Sequence, residues 1–167
     1  MPTITIRNAI PKDSQTIFNF IMELAIYEKA PNEVKTTVSE IEKSLFSPNA
    51  TAYALICEEE GVAIGFAVYF YNYSTWLGKK GIYLEDLYVS KTKRKRGAGK
   101  ALLKYLARKA LEENCGRFEW SCLDWNTPSR EFYESFGAVA KHEWIGYRLE
   151  GELLEKFANN QNFKLKP

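Results

Sequence analysis

A dense basic run lies near the middle of the sequence, in the stretch SKTKRKRGAGK that ends at Lys100. Six lysines and arginines fall within residues 91–100, and no acidic residue accompanies them. Glycines allow a backbone to approach a ligand closely, and the N–H groups at the start of a helix point toward an anion. If a strand ends before this run and a helix begins within it, the residue types predict a phosphate-binding loop.

The run does not match the common nucleotide-binding motifs. The pattern GxxxxGK[ST] would require glycine in place of Arg94 and serine or threonine in place of Ala101, and GxGxxG is absent. The sequence therefore gives no support for nucleotide hydrolysis. A nucleic-acid patch is an alternative, but the chain has 23 basic and 21 acidic residues, so the part outside the run is net acidic. Proteins that coat nucleic acid usually spread their positive charge, so a local anion site fits better.

The chain contains few cysteine and histidine residues that could bind a metal ion. The three cysteines, Cys57, Cys115 and Cys122, form no CxxC pair, and His142 is the single histidine. These numbers disfavour a zinc site and a disulfide framework, and they exclude a multi-histidine centre within one chain. We expect no metal cofactor.

Length and composition predict one globular domain. The chain has 167 residues, of which 46% are hydrophobic and 26% are charged. No apolar stretch reaches the roughly 18 to 20 residues of a membrane helix, and the N-terminus lacks the apolar core of a signal peptide. We expect a single domain over residues 1–158, a loosely ordered tail over 159–167, a cytoplasmic location and no membrane partner.

Hydrophobic periodicity places the basic run between a strand and a helix. The predicted order is strand, two helices, three strands, helix, strand, helix, then a final strand or two and a short helix. This order indicates an α/β (α+β) fold with a mixed, mostly antiparallel sheet of about six to seven strands flanked by helices. The predicted strands are 3–8, 52–58, 62–73, 82–89, 117–123 and one or two within 138–149; the predicted helices lie within 11–30, from the capping box of Thr37 and Glu40 to Ser47, at 97–113, after a cap at Thr127, and at 150–158.

Two motifs in this order resemble signatures of the GNAT superfamily of N-acetyltransferases. The first is Arg94-x-x-Gly97-x-Gly99, similar to that family's motif for the pyrophosphate of coenzyme A. The second is Asn126 followed seven residues later by Tyr133 and then by Gly137. The resemblance implies the GNAT fold, with acetyl-CoA as cosubstrate. The cofactor-binding residues that it implies are Leu87, Tyr88, Val89, Arg94, Lys95, Arg96, Gly97, Ala98, Gly99, Lys100, Asn126, Ser129 and Tyr133.

Within that superfamily the chain resembles the diamine acetyltransferases, the group of the spermidine/spermine and thialysine N-acetyltransferases. The similarity covers nearly the whole chain, with matching stretches at 23–28, 64–67, 73–79, 83–86 and 123–133. It implies transfer of an acetyl group from acetyl-CoA to the primary amine of a small cation, by direct attack in a ternary complex, and it implies a homodimer. No nucleic-acid partner is expected.

The resemblance also implies roles for single residues. Tyr133 would protonate the departing CoA thiolate, and Glu85 would accept the amine proton through water. Strict alternation in strand 82–89 predicts that Glu85 shares an apolar face with Tyr83, Leu87 and Val89, which would raise the pKa of its carboxyl group. An ion pair or an amine-charge partner is nearly as good an interpretation of Glu85. The implied substrate-binding residues are Tyr27, Glu28, Trp76, Glu85 and Asp86.

The substrate stays open at this level. Polyamine-preferring relatives carry an acid in the loop before the tryptophan, whereas this chain has Ser74 and Thr75 there, as the thialysine-type relatives do. Acetylation of a protein lysine or of another amine, such as an aminoglycoside, is the alternative within the enzyme class. A nucleic-acid-binding module and a CoA-binding sensor without turnover are alternatives outside it.

Overall fold

The computed structural model describes residues 2–159, and it divides into a first compact unit that ends at Ser121 and a second that begins at Cys122. The tail predicted to be loosely ordered lies outside the described residues, except for Asn159. The first unit contains β1 (Ile4–Asn8), α1 (Ser14–Tyr27), α2 (Val38–Phe46), β2 (Tyr53–Glu59), β3 (Val62–Ser74), β4 (Lys79–Val89), α3 (Ala98–Glu112) and β5 (Phe118–Trp120). The second contains α4 (Thr127–Glu134) and α5 (Gly151–Ala158).

The sheet of the first unit follows the order of the chain, β1-β2-β3-β4-β5. The first three pairings are antiparallel, and β4 pairs with β5 in parallel. Parallel neighbours require a crossover connection, and α3 supplies it. The mixed, mostly antiparallel sheet is therefore confirmed, and so is the placement of the basic run between a strand and a helix.

Helices lie on both faces of this sheet. On one face, α1 places Phe20 over Phe66 of β3, with ring centroids 5.7 Å apart, and the capping box of Thr37 begins α2 as predicted. On the other face, the hydroxyl of Tyr71 donates to Glu113 at the end of α3. Phe66 and Tyr71 are five residues apart in one strand, so they point to opposite faces. The core under α1 and α2 consists of Ile17, Phe20, Ile41, Ala54, Ile56, Phe66 and Tyr88.

The strand β4 contains one more residue than the part of β3 that it faces. Asp86 pairs with Val68, but the next pair joins Leu84 to Tyr69, so Glu85 is the additional residue of a β-bulge. Residues directly opposite each other share a face of the sheet. The alternation along β4 therefore shifts at Glu85, and the prediction that residues 83, 85, 87 and 89 share one face is wrong.

The hairpin between β3 and β4 is tighter than the sequence predicts. Lys79 already pairs with Ser74, so the expected loop of residues 74–81 shrinks to a turn over residues 75–78. Gly78, with φ +61°, adopts the left-handed conformation that this turn needs. The turn places Trp76 at the tip of the hairpin.

The second unit differs from its prediction in two respects. Within the described residues, 138–149 contain no strand, so the sheet has five strands instead of six to seven. The large side chains in that segment, including Trp144, Ile145 and Tyr147, are exposed, and without a buried face their alternation does not specify pairing. The cap of α4 is also Asn126 and not Thr127, because the Asn126 side chain accepts the N–H of Ser129.

Candidate active site

The basic loop is built by two residues with positive φ. Lys95 (φ +64°) and Gly97 (φ +88°) turn the chain between the end of β4 at Val89 and the start of α3 at Ala98. Gly97 is the N-cap of α3 and has no side chain to accept a hydrogen bond from the first turn. The N–H groups of that turn are therefore available to an external acceptor, which makes the loop suitable for an anion.

The backbone at Gly99 borders space that a side chain could occupy without disturbing the fold. Its φ lies outside the left-handed region, and a Cβ atom added there would only touch Leu87 Cδ2 at 4.0 Å. Neither the backbone conformation nor the packing of the described chain requires glycine at this position. The space beside Gly99 is therefore suited to a ligand that approaches the backbone closely.

Glu59 at the end of β2 binds two cations of the basic loop. Its carboxylate is 6% exposed, pairs with Lys93, and lies 3.4 Å from Nη1 of Arg96. The hydrogen bond from Lys93 lowers the pKa of Glu59. Sequence analysis missed this residue because Lys93 is 34 positions away along the chain. Glu59 thus neutralises part of the run and holds its backbone in place.

The guanidinium of Arg94 contacts protein groups at the end of β4 and in α1. Its Nε donates to the carbonyl oxygen of Val89 at 2.9 Å. Its Cζ lies 4.7 Å from the centroid of the Tyr27 ring and 5.2 Å from that of Tyr88. The structure therefore brings together a predicted cofactor residue, Arg94, and a predicted substrate residue, Tyr27.

The end of β4 has an open edge. The short β5 pairs with β4 only at Ile82, Tyr83 and Leu84, so residues 86–89 of β4 pair with β3 alone among the described strands. Backbone groups on such an edge can bond a ligand in the manner of an added strand. This segment includes Leu87, Tyr88 and Val89, three of the cofactor-binding residues that the resemblance implies.

Three acidic residues among the predicted substrate-binding residues interact electrostatically in the first unit. Burial, together with the charges of Glu85 and Glu28, raises the pKa of Asp86 to about 6. Desolvation also raises the pKa of Glu28, which follows the last residue of α1. Such a group attracts a cation, and it has one carboxyl group that can exchange a proton near neutral pH.

Glu85 itself differs from its prediction. It is exposed, and the bulge separates its neighbours: Tyr83 pairs with Phe70, on the face of Val68 and Asp86, whereas Leu87 lies on the other face. The expected apolar setting of Glu85 is therefore absent, and the half-buried acid is its neighbour Asp86. The different surroundings of Glu85 result from the extra residue in β4, which breaks the alternation of the strand. The sequence contains no sign of this extra residue.

Trp76 does not lie near these acids in its own chain. Its side chain is 91% exposed at the hairpin tip. Asp86 lies seven residues beyond the start of β4, and at 3.2 to 3.4 Å per residue this corresponds to more than about 20 Å along the strand.

In the second unit, α4 presents the second motif. Asn126 caps the helix through Ser129, and Tyr133 lies four residues further along the face of Ser129. The half-buried Tyr133 ring contacts the rings of Phe132 and Phe136, with centroids 5.6 and 6.3 Å away. The helix and its motif are thus present as predicted, with a cap one residue earlier.

Residues 2–159 contain no group of three or more histidine, cysteine, aspartate or glutamate side chains that could hold a metal ion. No helix in that range has the length and apolar character needed to cross a membrane.

A mixed sheet with a bulged β4, followed by a glycine-containing anion loop at the start of a helix, agrees with the GNAT fold that the resemblance implies. Residues 18–138 match the acetyltransferase (GNAT) family. The chain belongs to this family and is an N-acetyltransferase. The family uses acetyl-CoA as its cosubstrate.

Individual relatives agree with this assignment. The chain is 33% identical to the thialysine N-epsilon-acetyltransferase of Sus scrofa over 169 residues, which cover 95% of this chain and 99% of that protein. It is 40% identical to the L-ornithine N5-acetyltransferase of Arabidopsis thaliana over 94 residues, which cover 56% of this chain and 41% of that protein. An integron cassette protein from the mobile metagenome of V. cholerae has a similar structure, with a TM-score of 0.79 and 27% identity over 93% of this chain and 98% of that one. The resemblance to the thialysine-type group is confirmed.

Proposed function

We propose that this protein transfers the acetyl group of acetyl-CoA to the primary amine of a small cationic substrate, by direct attack in a ternary complex. The substrate class is a thialysine- or lysine-like amino acid, a diamine or a polyamine. One observation carries the proposal: the single strand β4 contains the interacting acids Glu85 and Asp86 and runs directly into the basic loop after Val89. The proposed amine site on β4 would therefore be followed directly along the chain by the proposed phosphate site in the loop.

The cofactor would bind along the end of β4 and the loop. The backbone of residues 95–100 would hold the pyrophosphate, since Gly97 leaves the first-turn N–H groups of α3 uncapped and Gly99 leaves space beside them. The edge formed by Leu87, Tyr88 and Val89 would bond the pantetheine arm and the acetyl carbonyl. Asn126, Ser129 and Tyr133 of the second motif are further cofactor residues that the resemblance implies.

The amine would be recognised by charge. Glu28, Glu85 and Asp86 favour a cation and disfavour an acidic substrate. The thialysine and ornithine acetyltransferases among the relatives act on amino acids whose side chain ends in an amine, which supports a substrate of that kind. We expect such an amino acid to be preferred to spermidine, because Ser74 and Thr75 stand before Trp76.

The reaction requires that the amine loses a proton before it attacks. Glu85 is the proposed acceptor, through water, and its exposed position suits contact with water. Asp86 is a second candidate. Its pKa of about 6 leaves the carboxyl group mostly ionised at neutral pH, and it binds a proton more readily than an ordinary aspartate. The amine nitrogen then bonds to the thioester carbonyl carbon, and the resulting tetrahedral intermediate breaks its C–S bond.

The last step is protonation of the leaving thiolate, which we assign to Tyr133. A phenol has an ordinary pKa of about 10, so it holds its proton at neutral pH and can donate it to the sulfur as the C–S bond breaks. The nitrogen loses its second proton as the amide forms, the Tyr133 phenolate takes up a proton and becomes a phenol again, and the product amide and free CoA leave the enzyme. The homodimer, the single domain and the cytoplasmic location stay predictions.

The experiment that tests this function measures thiol release from acetyl-CoA. The acceptors are thialysine, lysine, ornithine, putrescine, spermidine and a histone-tail peptide, with Nε-acetyllysine as the control whose side-chain amine is blocked. We expect acceleration by the free amino acids and none above background by the blocked one. Activity with the peptide alone would favour the protein-lysine alternative, and no acceleration by any amine would sink the proposal.

A further inference from the structure

We propose that Arg94 is a positioning residue: its guanidinium joins the cofactor loop to the end of α1, and it thereby sets the amine side of the site instead of binding a phosphate. This inference rests on the proposed function. It changes the role that the R-x-x-G-x-G motif predicts for its first residue, and it assigns the phosphate charges to other members of the run.

The contacts of Arg94 are directed to protein groups. One edge of the guanidinium, through Nε, donates to the carbonyl oxygen of Val89 at 2.9 Å. The planar group lies over the rings of Tyr27 and Tyr88, with Cζ 4.7 and 5.2 Å from their centroids. A planar cation can stack on rings and donate from its edge at once, which an ammonium group cannot do. The site is therefore specific for arginine and not for positive charge alone.

The rings beneath Arg94 connect the end of β4 to α1. Tyr88 is 7% exposed, and burial and the Glu23 carboxylate of α1 raise the pKa of its hydroxyl. The Ser90 hydroxyl also lies 3.5 Å from a carboxylate oxygen of Glu23. Tyr27 is the last residue of α1 and directly precedes Glu28, one of the three interacting acids. A change in the position of Arg94 would therefore be transmitted to the acid that is proposed to hold the amine.

Other cations are better placed for phosphate. Lys95 and Lys100 are exposed, and within residues 2–159 neither forms an ion pair with a carboxylate, whereas Lys93 and Arg96 pair with Glu59. Exposed lysines near the uncapped start of α3 can meet an anion without first breaking an internal contact. Arg94 thus positions the loop, and the exposed lysines are the cations available to the phosphates.

The first test compares Arg94→Lys with Arg94→Ala. Lysine keeps the charge but loses the planar group and the Nε donor. We expect both variants to raise the KM for thialysine by roughly 3- to 30-fold, the range of a lost cation–ring contact. We expect the Kd for acetyl-CoA, and its dependence on salt, to stay within about threefold of wild type for Arg94→Lys, while Lys95→Met flattens the salt dependence. A different result would overturn the inference: Arg94→Ala binds acetyl-CoA more weakly, Arg94→Lys binds it as the wild type does, and neither changes the amine KM. Arg94 would then be a phosphate ligand.

The second test uses Tyr27, for which the chain allows a matched pair of variants. Tyr27→Phe keeps the ring under Arg94, and Tyr27→Leu removes it. If the Arg94–Tyr27 contact sets the amine KM, the double variant Arg94→Ala with Tyr27→Leu should raise this KM no more than the worse single variant. In the Tyr27→Phe background, Arg94→Ala should still raise the amine KM. Additive increases in KM would overturn the proposal. So would a lower thermal midpoint in the Arg94 variants with an unchanged amine KM, since that pattern belongs to a purely structural residue.

A third measurement keeps this inference separate from the proposed function. Thermal unfolding of the wild type, the two single variants and the double variant needs no substrate, and we expect non-additive shifts of the midpoint. Additive shifts would show that the Arg94–Tyr27 contact is absent, even if the wild type acetylates amines. A wild type inactive toward every amine would instead remove the proposed function while the coupling between the two residues is still read from unfolding.

Discussion

Asp86 lies directly opposite Val68 in the pairing of β3 and β4, and the bulge beside it turns the adjacent acid, Glu85, out toward solvent. Two neighbouring carboxylates therefore have different surroundings. Burial is the largest cause of the raised pKa of Asp86, and the charges of Glu85 and Glu28 add to it. A fold that keeps a half-buried acid beside two others accepts a cost in stability, and such costs are common at functional sites.

Asp86→Asn should stabilise the protein above pH 6 and impair its activity. Because the folded pKa, about 6, exceeds the ordinary 3.8, the stability that protonated Asp86 contributes is present below pH 3.8 and is lost as the pH rises through about 6. Asparagine stays neutral, so the variant should match the wild type near pH 4 and exceed it near pH 8 by about 1 to 3 kcal/mol. Denaturant unfolding at several pH values measures this, and thiol release measures the loss of activity.

The control for Asp86 is Glu85→Gln. It removes one of the two neighbouring charges, so the titration of Asp86 should move to lower pH while its burial is unchanged. Carboxyl carbon shifts observed by NMR would follow that titration directly. An Asp86→Asn variant that is less stable than the wild type at pH 8 would contradict the account, since the ionised carboxylate would then be stabilising.

Gly99→Ala should separate folding from cofactor binding. The added Cβ would meet only Leu87 Cδ2 at 4.0 Å, and φ lies outside the left-handed region, so alanine fits and should raise helix stability by up to about 1 kcal/mol. The same methyl group would occupy the space proposed for the pyrophosphate, so acetyl-CoA should bind on the order of tenfold more weakly. Calorimetry with acetyl-CoA and a thermal melt measure the two effects.

Gly97→Ala is the matched control at the neighbouring glycine. Its φ of +88° disfavours any side chain, so this variant should lose stability by about 1 kcal/mol or more. Equal stability losses in both variants would mean that Gly99 serves the fold, and unchanged acetyl-CoA affinity in Gly99→Ala would remove it from the cofactor site.

Glu59→Gln should loosen the basic loop. Glutamine keeps the shape of the side chain but loses the charge that pairs with Lys93 and Arg96, so we expect a lower thermal midpoint and weaker acetyl-CoA binding at neutral pH. Since the folded pKa of Glu59 is lowered, the stability from these pairs is present above the ordinary pKa and is lost as the pH falls through the folded value. The difference between variant and wild type should therefore vanish in acid.

Glu60→Gln, at the next position, is the control for Glu59. Glu60 is an exposed turn residue without an ion pair in the described chain, so its loss should leave the melt and the cofactor affinity unchanged. Tighter acetyl-CoA binding by Glu59→Gln would contradict the positioning role, because it would mean that Glu59 acts only by cancelling the charge of the loop.

The contrast between Glu85 and Glu59 shows what sequence reasoning can reach. Local patterns located the basic loop, the helix of Tyr133 and the strand of Asp86, because periodicity and capping act over a few residues. The surroundings of Glu85 depended on an extra residue that breaks the alternation, and no local pattern encodes it. Glu59 meets Lys93 across 34 positions, a contact that only the pairing of strands creates. Likewise, exposed Trp144 and Tyr147 looked like strand residues but pair with no strand within the described residues.

Tyr133→Phe should lower kcat on the order of 100- to 1,000-fold and leave acetyl-CoA affinity nearly unchanged. Phenylalanine keeps the ring that contacts Phe132 and Phe136, so only the hydroxyl proton is removed from the reaction. Tyr147→Phe, which alters a 93% exposed tyrosine, is the control and should behave as the wild type. Single-turnover thiol release at saturating acetyl-CoA and thialysine measures the chemical step, and calorimetry measures affinity. If Tyr133→Phe turns over at the rate of wild type, the thiolate takes its proton from water or from another group, and the assignment of Tyr133 fails.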